Sequence, residues 1–94
     1  MVDITDIHSS NLPKDCLVLV SAPWCAPCDV AEKLLKEKEI DAEIYKINTD
    51  NDTNFCQSVM ANNIPQLMRI KDRVVESRLI GTLDICNSPS SFFS

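Results

Sequence analysis

Apolar residues change their period several times along this chain, and each change marks an element. Cys16-Leu17-Val18-Leu19-Val20 is an unbroken run of five, rich in valine. Such a run predicts a central strand buried on both faces, because a half-exposed strand would alternate. Further on, Val30, Ala31, Leu34 and Leu35 recur at three- and four-residue spacing, with Asp29, Glu32, Lys33 and Lys36 on the remaining face. That period predicts an amphipathic helix over 28–39. Residues 42–48 alternate apolar and polar positions through Ile44 and Ile47 and read as a second strand. Asn48-Thr49-Asp50-Asn51-Asp52 then breaks the pattern. Strand, helix and strand in this order imply a parallel pair joined by a right-handed crossover.

The second half follows a different plan. Residues 53–61 offer Phe55 and Val59, with Cys56 and Met60 beside them, as the stripe of another helix. Asp52 or Thr53 is placed to cap it, and Asn62-Asn63 to stop it. After Pro65, residues 66–70 and 74–80 read as two strands joined by Lys71-Asp72-Arg73, an antiparallel hairpin. Gly81, the only glycine, ends the hairpin. It supplies either backbone freedom or room for close approach, or simply an ordinary strand-to-helix turn. Residues 82–87 have room for a turn or two of helix. Pro89 and the neighbouring serines prevent a longer one, so residues 88–94 are expected to form a loose tail. Phe92 and Phe93 would fold back over the sheet or form a small exposed patch.

Composition narrows the class. With 94 residues the chain has room for one domain, 1–94, and one core. A hydrophobic share of 45 % with 24 % charged residues describes a globular chain, and no apolar run is long enough to span a membrane. The N-terminus lacks the basic and apolar regions of a signal peptide, which predicts a reducing, cytoplasmic setting. Three of the five cysteines, Cys16, Cys56 and Cys86, are scattered and are expected to stay reduced. A net charge of −5 without a Lys/Arg cluster argues against direct nucleic-acid or anionic-membrane binding.

The chemistry concentrates at Ala22-Pro23-Trp24-Cys25-Ala26-Pro27-Cys28, where the first strand hands over to the first helix. Two cysteines three apart at a helix start can close a disulfide across the first turn, and the unpaired N–H groups there favour thiolate. Cys25 would lie just outside the helix, open to solvent, and act as the nucleophile; Cys28, one turn inside and shielded, would resolve the mixed disulfide. Pro27 suits the first helical turn, and Trp24 adds a flat apolar wall beside the thiol. Zinc is the competing reading of paired cysteines. A closed site needs four ligands, however, and His8, Cys16, Cys56 and Cys86 supply no second pair at ligand spacing. No metal and no cofactor other than the dithiol itself is expected.

Trp24-Cys25-Ala26-Pro27-Cys28, Lys46 in the next strand, Ile64-Pro65 after the second helix and Gly81 after the hairpin together resemble the thioredoxin superfamily. The resemblance spans residues from about 16 to 83. It implies an α/β thioredoxin fold: a central mixed sheet with a parallel βαβ half and an antiparallel ββα half, flanked by helices. It also implies a protein-disulfide reductase acting through Cys25 and Cys28, with Trp24, Ala26 and Pro27 shaping the active site. Ile64 and Pro65, as a cis peptide, would join Trp24 and Gly81 in binding an extended client segment. Lys46 matches the lysine that supports proton transfer in the family; the alternative is a solvated strand residue. The family's buried acid, six residues before the nucleophile, is replaced here by Leu19, and the usual Gly-Pro pair by Ala26-Pro27.

The partners implied are thioredoxin reductase or a similar electron donor and disulfide-bearing proteins such as ribonucleotide reductase, with the chain itself a monomer. Two other readings stay open. One is a glutathione-linked, glutaredoxin-like oxidoreductase, although the Thr-Val-Pro segment and glycine pair of glutaredoxins are absent. The other is a non-catalytic binding subunit that uses the fold alone.

Overall fold

A computed structural model describes residues 1–93. Its elements run β1 (Val2–Asp6), β2 (Cys16–Ser21), α1 (Ala26–Lys36), β3 (Ala42–Asn48), α2 (Thr53–Ser58), β4 (Gln66–Lys71), β5 (Val74–Ile80) and α3 (Thr82–Cys86). Single 3-10 turns form at Ser9–Asn11 and Ser90–Phe93. The five strands make one mixed sheet in the order β1-β3-β2-β4-β5. β3 pairs in parallel with both β1 and β2, while β4 runs antiparallel to β2 and β5.

The unbroken apolar run of β2 is explained by this arrangement, since the strand lies mid-sheet with cover on both faces. Leu17 and Leu19 join Ile44, Ala31 and Leu35 of α1, and Ile85 of α3 in one core. Val18 and Val20 point the other way, with Ile47, Met68 and Cys56 of α2. Ile44 and Ile47, three apart in β3, thus serve opposite cores. The β4–β5 turn places Asp72 and Arg73 at positive φ, the backbone that a tight two-residue hairpin requires.

Four boundaries differ from the sequence reading. β1 carries only a brief alternation, and it becomes a strand because β3 offers it a parallel edge. α1 begins at Ala26 and ends at Lys36, earlier than 28–39 at both ends. α2 stops at Ser58, since Met60 takes a left-handed φ of 58° that a helix cannot continue through. Residues 88–93 are not a loose tail. Phe92 is buried against the α1–α3 core, with Phe93 packed beside it in an edge-to-face pair. Arg69 donates to the Ser91 and Phe92 carbonyls, and Lys38 to those of Cys86 and Ser88. Ser94 lies outside the described residues.

Replacing Phe92 by Ala is expected to cost about 3 kcal/mol in denaturant unfolding, the scale of a buried aromatic truncation. A solvated tail residue would change stability by less than about 0.5 kcal/mol.

Candidate active site

β2 ends at Ser21, and four residues later the chain enters α1. Cys25 is the N-cap of that helix, in extended conformation (φ −99°, ψ 98°), with Ala26 and Pro27 as its first two residues. Its backbone N–H donates to the Ala22 carbonyl at 3.1 Å, closing the turn out of the strand. The Cys25 Sγ takes the place of a capping oxygen and accepts from the Cys28 N–H at 3.3 Å. Cys25 and Cys28 are joined in a disulfide with Cα atoms 5.3 Å apart. A thiolate at Cys25 would sit where the unpaired N–H groups of the helix start give it hydrogen bonds and positive potential. In this disulfide state Cys25 is 6 % exposed and Cys28 2 %. The expectation that the Cys25 sulfur stands open is therefore corrected: its side chain turns inward to Cys28 and packs with Ala22 and Ile64.

Around this pair the fold assembles most of the residues singled out from the sequence. The Ile64–Pro65 peptide is cis. Gly81 donates its N–H to the Pro65 carbonyl at 2.9 Å, and Thr82 Oγ1 donates to that of Pro27 at 3.1 Å, so the end of β5 ties both loops together. Gly81 has φ +90°, and an added Cβ would meet nothing within 4 Å. Backbone freedom, not close approach, is what this glycine supplies. Trp24 is 70 % exposed, and its indole N–H is shared between the two Asp50 oxygens at 3.2 and 3.3 Å. Asp50 looks like a solvated charge in sequence; no local pattern signals that it holds the indole. Arg78 is a second residue without a local signal. Its guanidinium donates to the Val59 carbonyl and to Gln66 Oε1, each at 2.9 Å. It thereby pins the segment leading into Pro65.

Lys46 is placed differently. It stands opposite Leu19 in the β2–β3 register, with its ammonium 3.0 Å from Glu32 of α1 and 3.9 Å from Asp6. The bond to Glu32 holds its pKa above the ordinary 10.5, against the opposing effect of partial burial. Asp52 does not cap α2 with its side chain. Instead its buried carboxylate accepts from Ser9 Oγ at 2.6 Å and from the Ser9 N–H at 3.2 Å, and it meets His8 Nε2 at 3.0 Å. Ser21 Oγ is buried without a hydrogen-bond partner among the described residues. Burial together with Asp15 raises the Cys16 pKa, and burial together with Asp52 raises that of Cys56, so both stay thiols near neutrality. Among the described residues no group of three or more His, Cys, Asp or Glu side chains is arranged to hold a metal ion. No helix among them is long and apolar enough to cross a membrane.

The family model named thioredoxin matches residues 5–86. A curated thioredoxin of Chlorobaculum thiosulfatiphilum is 35 % identical over 84 residues, covering 83 % of this chain and 78 % of that protein. One of Pyropia yezoensis is 34 % identical over 70 residues, covering 70 % of this chain. The match spans only 64 % of the Pyropia yezoensis protein's own length. Among solved structures, a mutant thioredoxin from Halobacterium salinarum superposes with a TM-score of 0.75 at 16 % identity. The superposition covers 98 % of this chain and 92 % of that one, a likeness of fold.

Gly81→Ala is expected to cost about 1–3 kcal/mol in unfolding of the reduced protein, through backbone strain alone. Glu32→Gln is expected to cost under about 1 kcal/mol at pH 7. Because the folded-state pKa of Lys46 is raised, the pair's contribution is complete below pH 10.5 and is lost as pH rises through the raised value. Native and Glu32→Gln unfolding curves should therefore converge at strongly alkaline pH.

Proposed function

We infer that the chain, which belongs to the thioredoxin family, is a thiol–disulfide oxidoreductase that reduces protein disulfides through Cys25 and Cys28. The observation that carries this reading is the pair itself, bonded across the first turn of α1 with Cys28 N–H directed at Cys25 Sγ. In the reduced protein, the Cys25 thiolate attacks one sulfur of a client disulfide. A bond forms between Cys25 Sγ and the client, and the client's other sulfur leaves as thiolate. Cys28, deprotonated, then attacks Cys25 Sγ, which expels the second client thiolate and closes the Cys25–Cys28 disulfide. Two electrons pass from the dithiol to the client, and a reductase of the thioredoxin-reductase kind restores them.

Trp24, Ile64, Pro65 and Gly81 form the docking rim in this reading. The disulfide packs against Ile64, Gly81 is bonded to Pro65, and Trp24, next to Cys25 in the chain, is exposed, which supports an extended client segment laid across the pair. Lys46 is held by Glu32 at 3.0 Å, and in this reading it supports proton movement at the cysteine pair through its charge. Ribonucleotide reductase is a client of suitable chemistry. The three other cysteines are free, which agrees with a reducing cytosol, and the chain acts there as a monomer.

Insulin disulfide reduction under limiting dithiothreitol tests the reading. The native chain should accelerate it and Cys25→Ser should abolish the acceleration, while Cys28→Ser should accumulate a mixed disulfide visible as an adduct by mass spectrometry. Turnover with reduced glutathione as sole donor would move the chain to the glutaredoxin reading. Absence of catalysis by the native chain would leave the binding-subunit reading.

A further inference from the structure

Between the end of α2 at Ser58 and the start of β4 at Gln66, the chain forms neither helix nor strand. Among the described residues, the hydrogen bonds that reach the last part of this segment, 63–65, are two: the Pro65 carbonyl accepts from the Gly81 N–H at 2.9 Å, and the Asn63 carbonyl from Gln66 Nε2 at 3.1 Å. The second bond depends on Arg78. Gln66 is 1 % exposed, so both ends of its amide need partners within the protein. A guanidinium carries donors only, and Arg78 Nη1 lies 2.9 Å from Gln66 Oε1, which leaves the Gln66 NH2 group for Asn63.

The same nitrogen donates to the carbonyls of Val59 at 2.9 Å and Met60 at 3.4 Å, where the left-handed φ of Met60 turns the chain out of α2. Arg78 forms no ion pair among the described residues. Its donors go instead to three neutral acceptors at the two ends of one segment. That segment carries Ile64, which packs against the Cys25–Cys28 disulfide, while Arg78 itself is half-buried on β5, opposite Met68.

We propose that Arg78 is a positioning residue for protein clients. By fixing Gln66 and the carbonyls of Val59 and Met60 it presents the Ile64–Pro65 segment in the arrangement along which a client lies, and so governs client docking, not sulfur exchange. The proposal rests on the oxidoreductase reading. Its test compares a client that must dock with a disulfide too small to do so. Pre-reduced protein is mixed with excess insulin or excess 2-hydroxyethyl disulfide at neutral pH, and the second-order rate constants are measured for variants whose unfolding curves show them folded. Arg78→Met is expected to lower the insulin constant about 5- to 20-fold and to leave that of the small disulfide within about 2-fold. Arg78→Lys keeps the charge but not the planar fork, so it should still slow insulin about 3-fold or more, again without slowing the small disulfide. Should Arg78→Met not fold, Arg78→Lys decides alone. Arg69→Met is the control, because Arg69 likewise donates to two carbonyls, those of Ser91 and Phe92, but nearer the other end of β4; it should slow neither reaction. Equal slowing of both disulfides by Arg78→Met would overturn the proposal, as would unchanged insulin reduction, native rates in Arg78→Lys, or an equal loss in Arg69→Met. A native chain that reduces the small disulfide and leaves insulin intact would sink the protein-client reading itself, and the proposal with it.

Discussion

The burial of β2 on both faces determines where the two cysteines stand. A strand hydrogen-bonded on both edges and covered on both faces has no freedom to shift by one residue, because a slip would exchange Leu17 and Leu19 with Val18 and Val20 between two differently shaped cores. Its end at Ser21 is therefore fixed, and the short turn through Ala22 must place Cys25 at the N-cap of α1. The redox pair inherits its geometry from the most buried strand of the sheet.

Opposite that pair, the loop with Ile64 and Pro65 is held by groups that spend polar atoms on one another instead of on water. Arg78 reaches across from β5 to the carbonyls at the end of α2 and to Gln66, which is almost wholly buried. Gly81 then bonds back to Pro65. A guanidinium has several donors in a rigid fork, so one side chain can satisfy several acceptors that a bent loop would otherwise leave unpaired. The left-handed conformation of Met60 makes this bend and leaves its side chain exposed. The segment around Pro65, proposed above as the docking rim, is thus hydrogen-bonded backbone fringed with apolar side chains.

Charge divides the molecule in a related way. Leu19 occupies the strand position that faces Lys46, and the lysine turns instead to Glu32, one helical turn beyond Cys28. The nearer of the two carboxylates beside this lysine therefore rises from the helix, at 3.0 Å, with Asp6 of the sheet at 3.9 Å. Asp6, Asp29 and Asp52 lie at the same end together with Lys46 and His8, while the antiparallel half presents Ile64 and Ile80.

Local pattern alone determined much of this protein. β2, β3, β5 and the hairpin turn are legible because burial on one or two faces imposes a period on neighbouring residues, and the cysteine pair is legible because its spacing matches one helical turn. Gly81 is legible as a special position, and its φ shows that conformation and not crowding requires it. Tertiary structure decided the rest, wherever a residue's partner lies far along the chain. β1 exists through the edge of β3, and Phe92 is buried through α1 and α3. Asp50 serves Trp24 from twenty-six residues away, and Asp52 gives up capping to bind Ser9 forty-three residues back. The physical reason is common to all four: a hydrogen bond or a buried ring is defined by proximity in space, and sequence spacing reports proximity only within a turn, a helix face or a strand.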